Sequence, residues 1–278
     1  MPAPLFSVIL PTFNRPEMLQ EAVDSVLAQT IPELECIVVD DASAEPVVVL
    51  HDSRVRVVRR PMNGGPGAAR NTGIALASGR YVVFLDDDEL FTKDRLEVAL
   101  EGLERAEIAL CWRRSKDEPM DPHRIRLEGS VGARVLEDAI PHLGVTALRR
   151  DTIQRFDERL RVCEDVEWWI RTAPGRSFAT VPKFGCLMRS RPATYAQQVA
   201  GPRAAARLEI LTWHAEYFAT NPRAAAVQWR RLGFQARAAG NRTLAQRAFV
   251  RSLRYRVSPR TLWHLLHTLV PQGPHLGP

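Results

Sequence analysis

The chain has 278 residues, of which 45% are hydrophobic and 25% are charged, as in ordinary folded globular proteins. No apolar run is long enough to span a bilayer, and the amino-terminal residues do not resemble a signal peptide. Four cysteines without a C-x-x-C pair indicate neither a zinc site nor a disulfide framework, and they favour a cytoplasmic protein.

The formal net charge of +6 is unevenly distributed. Residues 201–278 contain twelve arginines and two acids, a charge of +10, which leaves −4 on residues 1–200. An acidic body with a basic tail predicts an anionic partner for the tail, such as the inner face of a membrane, rather than nucleic acid. A solvated helix face or a homodimer contact would explain the same arginines.

Strand and helix patterns alternate over the first 112 residues. Apolar runs typical of buried strands lie near residues 5–10, 35–39, 55–58, 81–85 and 108–112. Helical patterns lie between them, near residues 16–27, 64–79 and 92–104. This alternation predicts an α/β fold with a mostly parallel sheet flanked by helices, in which ligands bind at the carboxyl ends of the strands.

Four consecutive acids follow one of these strands, at Asp86, Asp87, Asp88 and Glu89. Acids packed this closely repel each other unless a cation lies among them, and oxygen ligands of this kind suit Mg²⁺ or Mn²⁺. An acidic loop that begins the next helix is the alternative interpretation. Polar groups at residues 12–14 and 40–41 also follow strands, so we expect all three groups to converge.

The remaining chain shows two further regions. Strand patterns near residues 145–148 and 184–188 enclose a helix that begins with the acids Glu164 and Asp165. Helical patterns dominate from about residue 203 onward. We therefore divide the chain into residues 1–112, 113–200 and 201–278.

Six short motifs, in this order, resemble family 2 glycosyltransferases over roughly residues 5–192. They lie at residues 7–15, 25–30, 38–43, 69–79, 85–88 and 164–165. The resemblance implies a Rossmann-like GT-A fold with a C-terminal helical extension. It also implies an inverting transfer of a sugar from a nucleotide diphosphate sugar, with UDP favoured, to an acceptor hydroxyl. Residues 1–112 would then bind the nucleotide sugar and residues 113–200 the acceptor, which could be a glycan, a lipid-linked molecule or a small molecule.

The resemblance assigns roles to the acidic run, which corresponds to the family's DxD motif. Asp88 is the favoured ligand of Mn²⁺ or Mg²⁺. Asp86 is expected to contact the ribose, a metal-bound water or the metal itself. The repetitive run leaves its register open, so Asp87 is a further candidate in the donor site.

The resemblance places several residues around the nucleotide. These are Pro11, Thr12, Asn14 and Arg15 after the first strand, Asp40 and Asp41 after the second, and Gly65 and Arg70 near the next helix. Asp41 would accept a hydrogen bond from the base, although a turn acid is the alternative role. Arg70 would lie near the base or the diphosphate, or else form a surface salt bridge. Gly65 permits close backbone approach, which a flexible turn would also require.

Asp165 is the candidate general base, which would take the proton of the acceptor hydroxyl as the new bond forms. Glu164 would orient that base or bind the acceptor, although both acids could instead stabilise the start of a helix. The family often has a histidine after this region. This chain has Arg189 and Arg191 there, which could neutralise diphosphate charge or lie on the surface.

Two other functions share some of these features. A nucleotidyltransferase would have a glycine-rich loop after the first strand, whereas residues 11–15 contain no glycine. A non-catalytic nucleotide-sugar-binding protein would have a broken DxD or Glu-Asp motif, and both are intact.

Overall fold

The computed structural model describes residues 3–49, 52–116, 125–137, 140–189 and 194–269. The chain forms two compact units. The first comprises Met1–Val135 and Ala139–Ser190, and the second comprises Leu136–Asp138 and Arg191–Pro278. The assignment of donor binding to residues 1–112 and acceptor binding to residues 113–200 stays a prediction.

The first unit contains nine strands and four α-helices among its described residues. The strands are β1 (Phe6–Thr12), β2 (Leu34–Asp40), β3 (Val55–Arg59), β4 (Tyr81–Phe84), β5 (Glu89–Phe91), β6 (Ile108–Ser115), β7 (Gly129–Ser130), β8 (Thr146–Arg149) and β9 (Ser177–Met188). The helices are α1 (Pro16–Leu27), α2 (Pro66–Leu76), α3 (Arg95–Leu103) and α4 (Glu164–Thr172).

All nine strands form one mixed sheet in the order β3-β2-β1-β4-β8-β6-β9-β5, with β7 paired to β9. The strands β3, β2, β1 and β4 are parallel, and β8 is antiparallel to both β4 and β6. The register pairs Thr12 with Asp40 and Ile9 with Phe84. The polar ends of β1, β2 and β4 therefore lie at the same edge of the sheet, as the sequence predicted.

The core explains why β1 is apolar along its length. All seven residues of β1 are buried, because helices cover both faces of the strand. Phe6, Val8 and Leu10 belong to one cluster with the apolar stripe of α1, which includes Leu19 and Val23. Burial of each such side chain contributes on the order of 2 kcal/mol.

The chain segment after the acidic run is held by one side chain of α1 and one from the residues directly after that helix. The Ser25 hydroxyl accepts a hydrogen bond of 3.1 Å from the Phe91 backbone N–H. The Gln29 amide accepts from the Leu96 N–H at 3.0 Å and donates to the Thr92 carbonyl at 2.7 Å. The motif at residues 25–30 therefore holds the backbone that follows the acids, which restricts their position.

The second unit is helical in its described residues. Its helices are α5 (Tyr195–Gln198), α6 (Ala200–Trp213), α7 (Ala215–Thr220), α8 (Pro222–Ala238), α9 (Arg242–Tyr255) and α10 (Pro259–Leu269). Within the described ranges, none of the helices is both long and apolar enough to cross a membrane. A buried polar group contributes to the core of this unit, since Arg207 donates to Gln235 at 2.9 Å and also to Gln228.

Candidate active site

The acidic run lies next to the end of β1. The Thr12 hydroxyl donates a hydrogen bond of 2.8 Å to Asp87, and Arg15 donates to Asp87 at 3.0 Å and to Asp88 at 3.1 Å. Burial raises the pKa of Asp87, and Arg15 and Thr12 oppose that rise. Thr12 and Arg15, both predicted nucleotide-site residues, are thus brought together with Asp87, a further donor-site candidate, and Arg15 also meets Asp88, the favoured metal ligand.

The acids after β2 hold the neighbouring loops. Asp40 is buried and accepts from the Ser43 N–H at 2.8 Å and from Arg59 at 3.2 Å. Asp41 accepts from the Gly65 N–H at 2.6 Å, from the Gly64 N–H, and from Arg60. The Asp41 carboxylate is therefore occupied by the loop between β3 and α2, and its contact with a nucleotide base stays a prediction.

The loop after β1 is joined to the loop after β2. The Asn14 backbone N–H donates to the Ser43 hydroxyl at 2.9 Å, and the Asn14 side chain accepts from the Ala44 N–H at 2.8 Å. Asn14 has a φ of 55°, a left-handed conformation that asparagine tolerates better than most residues. Pro11 is buried in β1 opposite Val39. Together these residues form one wall of the candidate site.

Gly65 directly precedes α2 and has a φ of 82°, which favours glycine. A Cβ atom at this position would lie 2.9 Å from Arg161 Cδ. The positive φ and this close approach both favour glycine at the position whose N–H donates to Asp41. A contact between Gly65 and a phosphate stays a prediction.

Arg70 on α2 is buried and binds two acids from distant parts of the chain. It donates to Asp86 at 2.6 Å and to Glu164 at 2.7 Å. Burial by itself would lower the pKa of Arg70, but the two carboxylates outweigh that effect and raise the pKa above its ordinary value. The guanidinium therefore remains charged and links the acidic run to the start of α4, which sequence analysis did not foresee.

Glu164 and Asp165 occupy the first turn of α4 and differ in environment. Glu164 is buried, and burial raises the pKa of its carboxyl although Arg70 opposes the rise. Asp165 is half-buried, and one of its oxygens accepts from the Val166 N–H at 2.9 Å. The predicted stabilisation of the helix start is present at Asp165, and its other oxygen makes no hydrogen bond to a described residue.

His142 is a site residue that sequence analysis missed. Its Nε2 atom lies 3.8 Å from Asp86 Oδ2, and its Nδ1 atom lies 3.4 Å from Glu89 Oε1. One ligand atom from each of the three residues lies within 4.8 Å of the others, and they form a possible metal-binding group. The only indication in the sequence was a histidine shortly before the strand pattern at residues 145–148. His142 lies close to the acidic run because β8, which follows it in the chain, pairs with β4.

Glu89 is buried in a way that fits a cation. Burial raises the pKa of its carboxyl, and Asp86 and Asp88 raise it further while His142 lowers it. Its Oε1 atom is buried and has no hydrogen-bond partner among the described residues. A Cβ atom at Gly144 would lie 2.4 Å from Glu89 Oε2, so glycine leaves room for the carboxylate. A divalent ion would compensate the negative charge of this group.

Arg189 does not contact the acidic run in this structure. The register pairs Glu89 with Met188, so the backbone of Arg189 lies close to the end of the run. Its guanidinium instead donates to Glu21 on α1 at 2.5 Å. Arg191 lies outside the described residues. The predicted contacts of Arg189 and Arg191 with a diphosphate therefore stay predictions.

The candidate site contains both arginine side chains and a group of metal-binding and proton-accepting side chains. Arg15, Arg60 and Arg70 are each bound to acids at the carboxyl edge of the sheet. Asp86, Glu89 and His142 provide carboxylate and imidazole ligands, and Asp165 provides a partly exposed carboxylate. Such an arrangement can hold a cation and a phosphate-bearing molecule and can accept a proton from a third group.

The family match extends over residues 7–149, just over half of the chain, and its model is described as Glycosyl transferase family 2. An uncharacterized glycosyltransferase of Rickettsia felis is 32% identical over 192 residues, covering 64% of this chain and 31% of the relative. The succinoglycan biosynthesis protein ExoO of Rhizobium meliloti is 36% identical over 107 residues, covering 37% and 31% respectively. The chain thus matches about a third of the length of these relatives.

Solved structures share the fold at low identity. Staphylococcus aureus TarS 1–349 in complex with UDP-GlcNAc has a TM-score of 0.65 and 20% identity, covering 92% of this chain and 82% of the other. The mannosyltransferase PcManGT of Pyrobaculum calidifontis, in complex with GDP-Man and Mn²⁺, has a TM-score of 0.58 and 21% identity, covering 96% and 86%. The predicted GT-A fold with C-terminal helices is confirmed. By its family match, this protein belongs to glycosyl transferase family 2.

Proposed function

We propose that this protein transfers a sugar from a nucleotide diphosphate sugar to an acceptor hydroxyl, with inversion at the anomeric carbon. The observation that carries the proposal is the double contact of buried Arg70 with Asp86 and Glu164. Arg70 joins Asp86 of the acidic run to Glu164 of the second acid pair, which supports one shared site in a chain of this family. Donor activation and acceptor deprotonation require such groups close together.

The donor is proposed to be a UDP-sugar. A neighbouring structure contains UDP-GlcNAc, whereas another contains GDP-Man, so the likeness alone supports a nucleotide sugar in general. The loops that contain Asn14 and Asp41 are joined by hydrogen bonds, including a backbone bond of 2.9 Å from the Asp41 N–H to the Thr12 carbonyl. A preformed wall of this kind reduces the entropy cost of binding a nucleotide.

The proposed cofactor is Mn²⁺ or Mg²⁺, with Mn²⁺ supported by the mannosyltransferase complex. Asp86, Glu89 and His142 would hold it, and Asp88 remains a proposed ligand in the DxD motif. In this structure Asp88 forms an ion pair with Arg15. The Arg15 side chain is 45% exposed, so breaking this ion pair to free Asp88 for a metal would cost little free energy. When bound, such an ion stabilises the negative charge of the diphosphate leaving group.

Asp165 is proposed as the general base. Its carboxylate is only partly buried and can therefore meet an acceptor hydroxyl, whereas Glu164 is buried and attached to Arg70. In an inverting transfer, Asp165 would remove the hydroxyl proton as the acceptor oxygen attacks the anomeric carbon from the face opposite the leaving group. Glu164 would hold the start of α4 in position.

The proposed setting is glycan or polysaccharide synthesis in the bacterial cytoplasm, with the protein at the inner face of the membrane. Homology to a succinoglycan biosynthesis protein supports the pathway class. The helix α10 exposes Leu262, Trp263 and Leu266, and exposed arginines precede it. An apolar face with nearby arginines suits an anionic lipid surface where a lipid-linked acceptor would be found. A homodimer contact through α10 is the alternative.

A donor screen followed by a transfer assay tests the proposal. Thermal shifts are measured with UDP, GDP, UTP and UDP-sugars, with and without Mn²⁺, and stabilising donors are then incubated with bacterial glycan acceptors. We expect a nucleoside diphosphate to stabilise the protein more with Mn²⁺ than without. Stabilisation by UTP alone, with pyrophosphate release, would replace the proposal with a nucleotidyltransferase. Binding of a donor without transfer to any acceptor would favour a non-catalytic binding protein.

The membrane proposal has a separate test. Full-length protein and the variants Trp263→Ser and Leu266→Ser are sedimented with vesicles that contain anionic lipid. We expect both substitutions to reduce sedimentation, because each removes exposed apolar area from α10. Unchanged sedimentation would exclude this membrane contact. Conversion of a dimer to a monomer by the same substitutions would favour the homodimer contact instead.

A further inference from the structure

A cavity of about 360 Å³ lies within the second unit, among α8, the end of α9 and the start of α10. Its described lining includes three arginines and one acid, which are Arg223, Arg230, Arg256 and Glu137. Within the described ranges, no acidic side chain forms an ion pair with Arg223 or Arg256. Positive charge at a cavity with a single carboxylate is suited to an anion.

The sequence spacing explains how α8 contributes to this cavity. Arg223, Val227 and Arg230 are separated by four and three positions and therefore lie on one face of the helix. Arg256 comes from the turn between α9 and α10, directly after Tyr255. The arginines thus approach the cavity from two different elements, and they belong to the strongly basic part of the chain that sequence analysis singled out.

Thr261 provides an independent indication of a ligand. It lines the cavity and is fully buried, and its Oγ1 atom has no hydrogen-bond partner among the described residues. A buried hydroxyl loses its hydrogen bonds to water, so such groups are normally paired by protein or by a bound molecule. The two other hydroxyls of the lining are already engaged, since Ser252 donates to the Ala226 carbonyl at 2.7 Å and Ser258 accepts from the Thr261 N–H at 3.4 Å.

The start of α10 adds favourable electrostatics. The helix has 11 residues and begins at Pro259, so Thr261 lies in its first turn. Pro259 has no N–H, and the N–H groups of Thr261 and Leu262 donate to the hydroxyl and the carbonyl of Ser258. The contribution of the helix start is therefore chiefly its dipole, which favours negative charge there. A phosphate group at this end of the cavity would therefore meet the helix start and the Thr261 hydroxyl, with arginine side chains around it.

We propose that this cavity binds a phosphate monoester, as part of either a soluble sugar phosphate or glycerol phosphate or a lipid headgroup. Arg223, Arg230 and Arg256 supply the charge, and Thr261 supplies a neutral donor. The volume exceeds that of one phosphate ion and leaves room for an attached organic group. The site would act independently of sugar transfer, since no residue of the candidate active site belongs to it.

Calorimetric titration of the full-length protein with glycerol 3-phosphate tests the soluble source, and vesicles with and without phosphatidic acid test the lipid source. All titrations contain EDTA, which prevents phosphate from binding through a metal at the acidic cluster. We expect Arg256→Gln to weaken binding about tenfold or more, because it removes a charged hydrogen-bond donor. The matched control is Arg254→Gln, which removes an exposed arginine of α9 outside the cavity lining and should leave binding unchanged.

Thr261→Val provides a second measurement that does not change the charge. Valine has nearly the same shape as threonine and removes the unpaired hydroxyl, so we expect an unchanged or higher melting temperature and binding weakened by about threefold or more. The arm in which specific binding occurs identifies the source of the phosphate. Equal losses in Arg256→Gln and Arg254→Gln, or no binding of either probe at millimolar concentration, would overturn the proposal.

Discussion

Arg70 donates a hydrogen bond of 2.7 Å to Glu164, which lies 94 residues further along the chain. Both side chains are almost completely buried, with exposed fractions of 4% and 10%. The same guanidinium holds Asp86 at 2.6 Å. The single positive charge of Arg70 therefore compensates carboxylates from two separate motifs.

Substitution of Arg70 by methionine should strongly destabilise the protein. It would leave two partly or fully buried carboxyl groups without their cation, and loss of one partner from a buried pair costs about 3–5 kcal/mol. Urea denaturation at neutral pH measures the free energy of unfolding. The control is Arg155→Met, because Arg155 and Glu158 form an exposed pair and their loss should cost about 0–1 kcal/mol. Equal losses in the two variants would show that the Arg70 contacts contribute no more than a surface pair.

Substitution of Asp165 by asparagine should separate donor binding from transfer. The amide cannot accept the acceptor proton, so we expect the transfer rate to fall by about 10²–10⁴-fold. The donor affinity should remain unchanged, because the change is isosteric and because Glu164, not Asp165, binds the arginine that holds Asp86. Asp151→Asn, at an exposed position, is the control and should retain full activity. Full transfer by Asp165→Asn would refute the general-base assignment.

Substitution of His142 by alanine tests which residues hold the metal. The structure groups His142 with Asp86 and Glu89, so removal of the imidazole should weaken Mn²⁺ binding by about tenfold or more. Electron paramagnetic resonance titration without nucleotide measures the free Mn²⁺. Asp88→Asn is titrated in parallel, and Glu97→Gln on the outer side of α3 is the control. Unchanged affinity in His142→Ala together with a loss in Asp88→Asn would place the ion on Asp88 instead.

Alkylation of the native protein should label Cys163 first. Burial raises the pKa of Cys36 to about 12, and it also raises the pKa of Cys111 and Cys186. At pH 8 a thiol with that pKa is a thiolate in only about one molecule in ten thousand, and the thiolate is the reactive form. Cys163 is half-buried and directly precedes Glu164. Mass spectrometry after brief iodoacetamide treatment identifies the modified residue.

Labelling of Cys163 also reports on ligand binding. A donor that occupies the candidate site should slow its alkylation, since the residue adjoins the acid pair of α4. The other three cysteines should react only in denaturant. Simultaneous labelling of all four in native buffer would contradict the burial on which this prediction depends, and rapid labelling of Cys36 would contradict the raised pKa.

The sequence by itself predicted most strands and helices of the first unit, although not the short strands β5 and β7. It also predicted the edge of the sheet on which the candidate site lies. The run of apolar residues in β1 and β4 predicts buried strands, and the acids that follow β4 predict a negatively charged site. Strand periodicity is a local property, so it can be recognised without knowledge of the fold. The order of the six motifs was sufficient to identify the family that the match over residues 7–149 shows.

Only the tertiary structure decided which side chains meet. Pairing of β8 with β4 brings His142 to the acidic run, and the packing of α2 and α4 brings Arg70 to Glu164. The Asp41 carboxylate is occupied by backbone N–H groups of a loop more than twenty residues away, and Arg189 turns to Glu21. These contacts join residues that are distant in sequence, and hydrogen bonds of about 3 Å depend on the packing of whole elements, which local patterns do not specify.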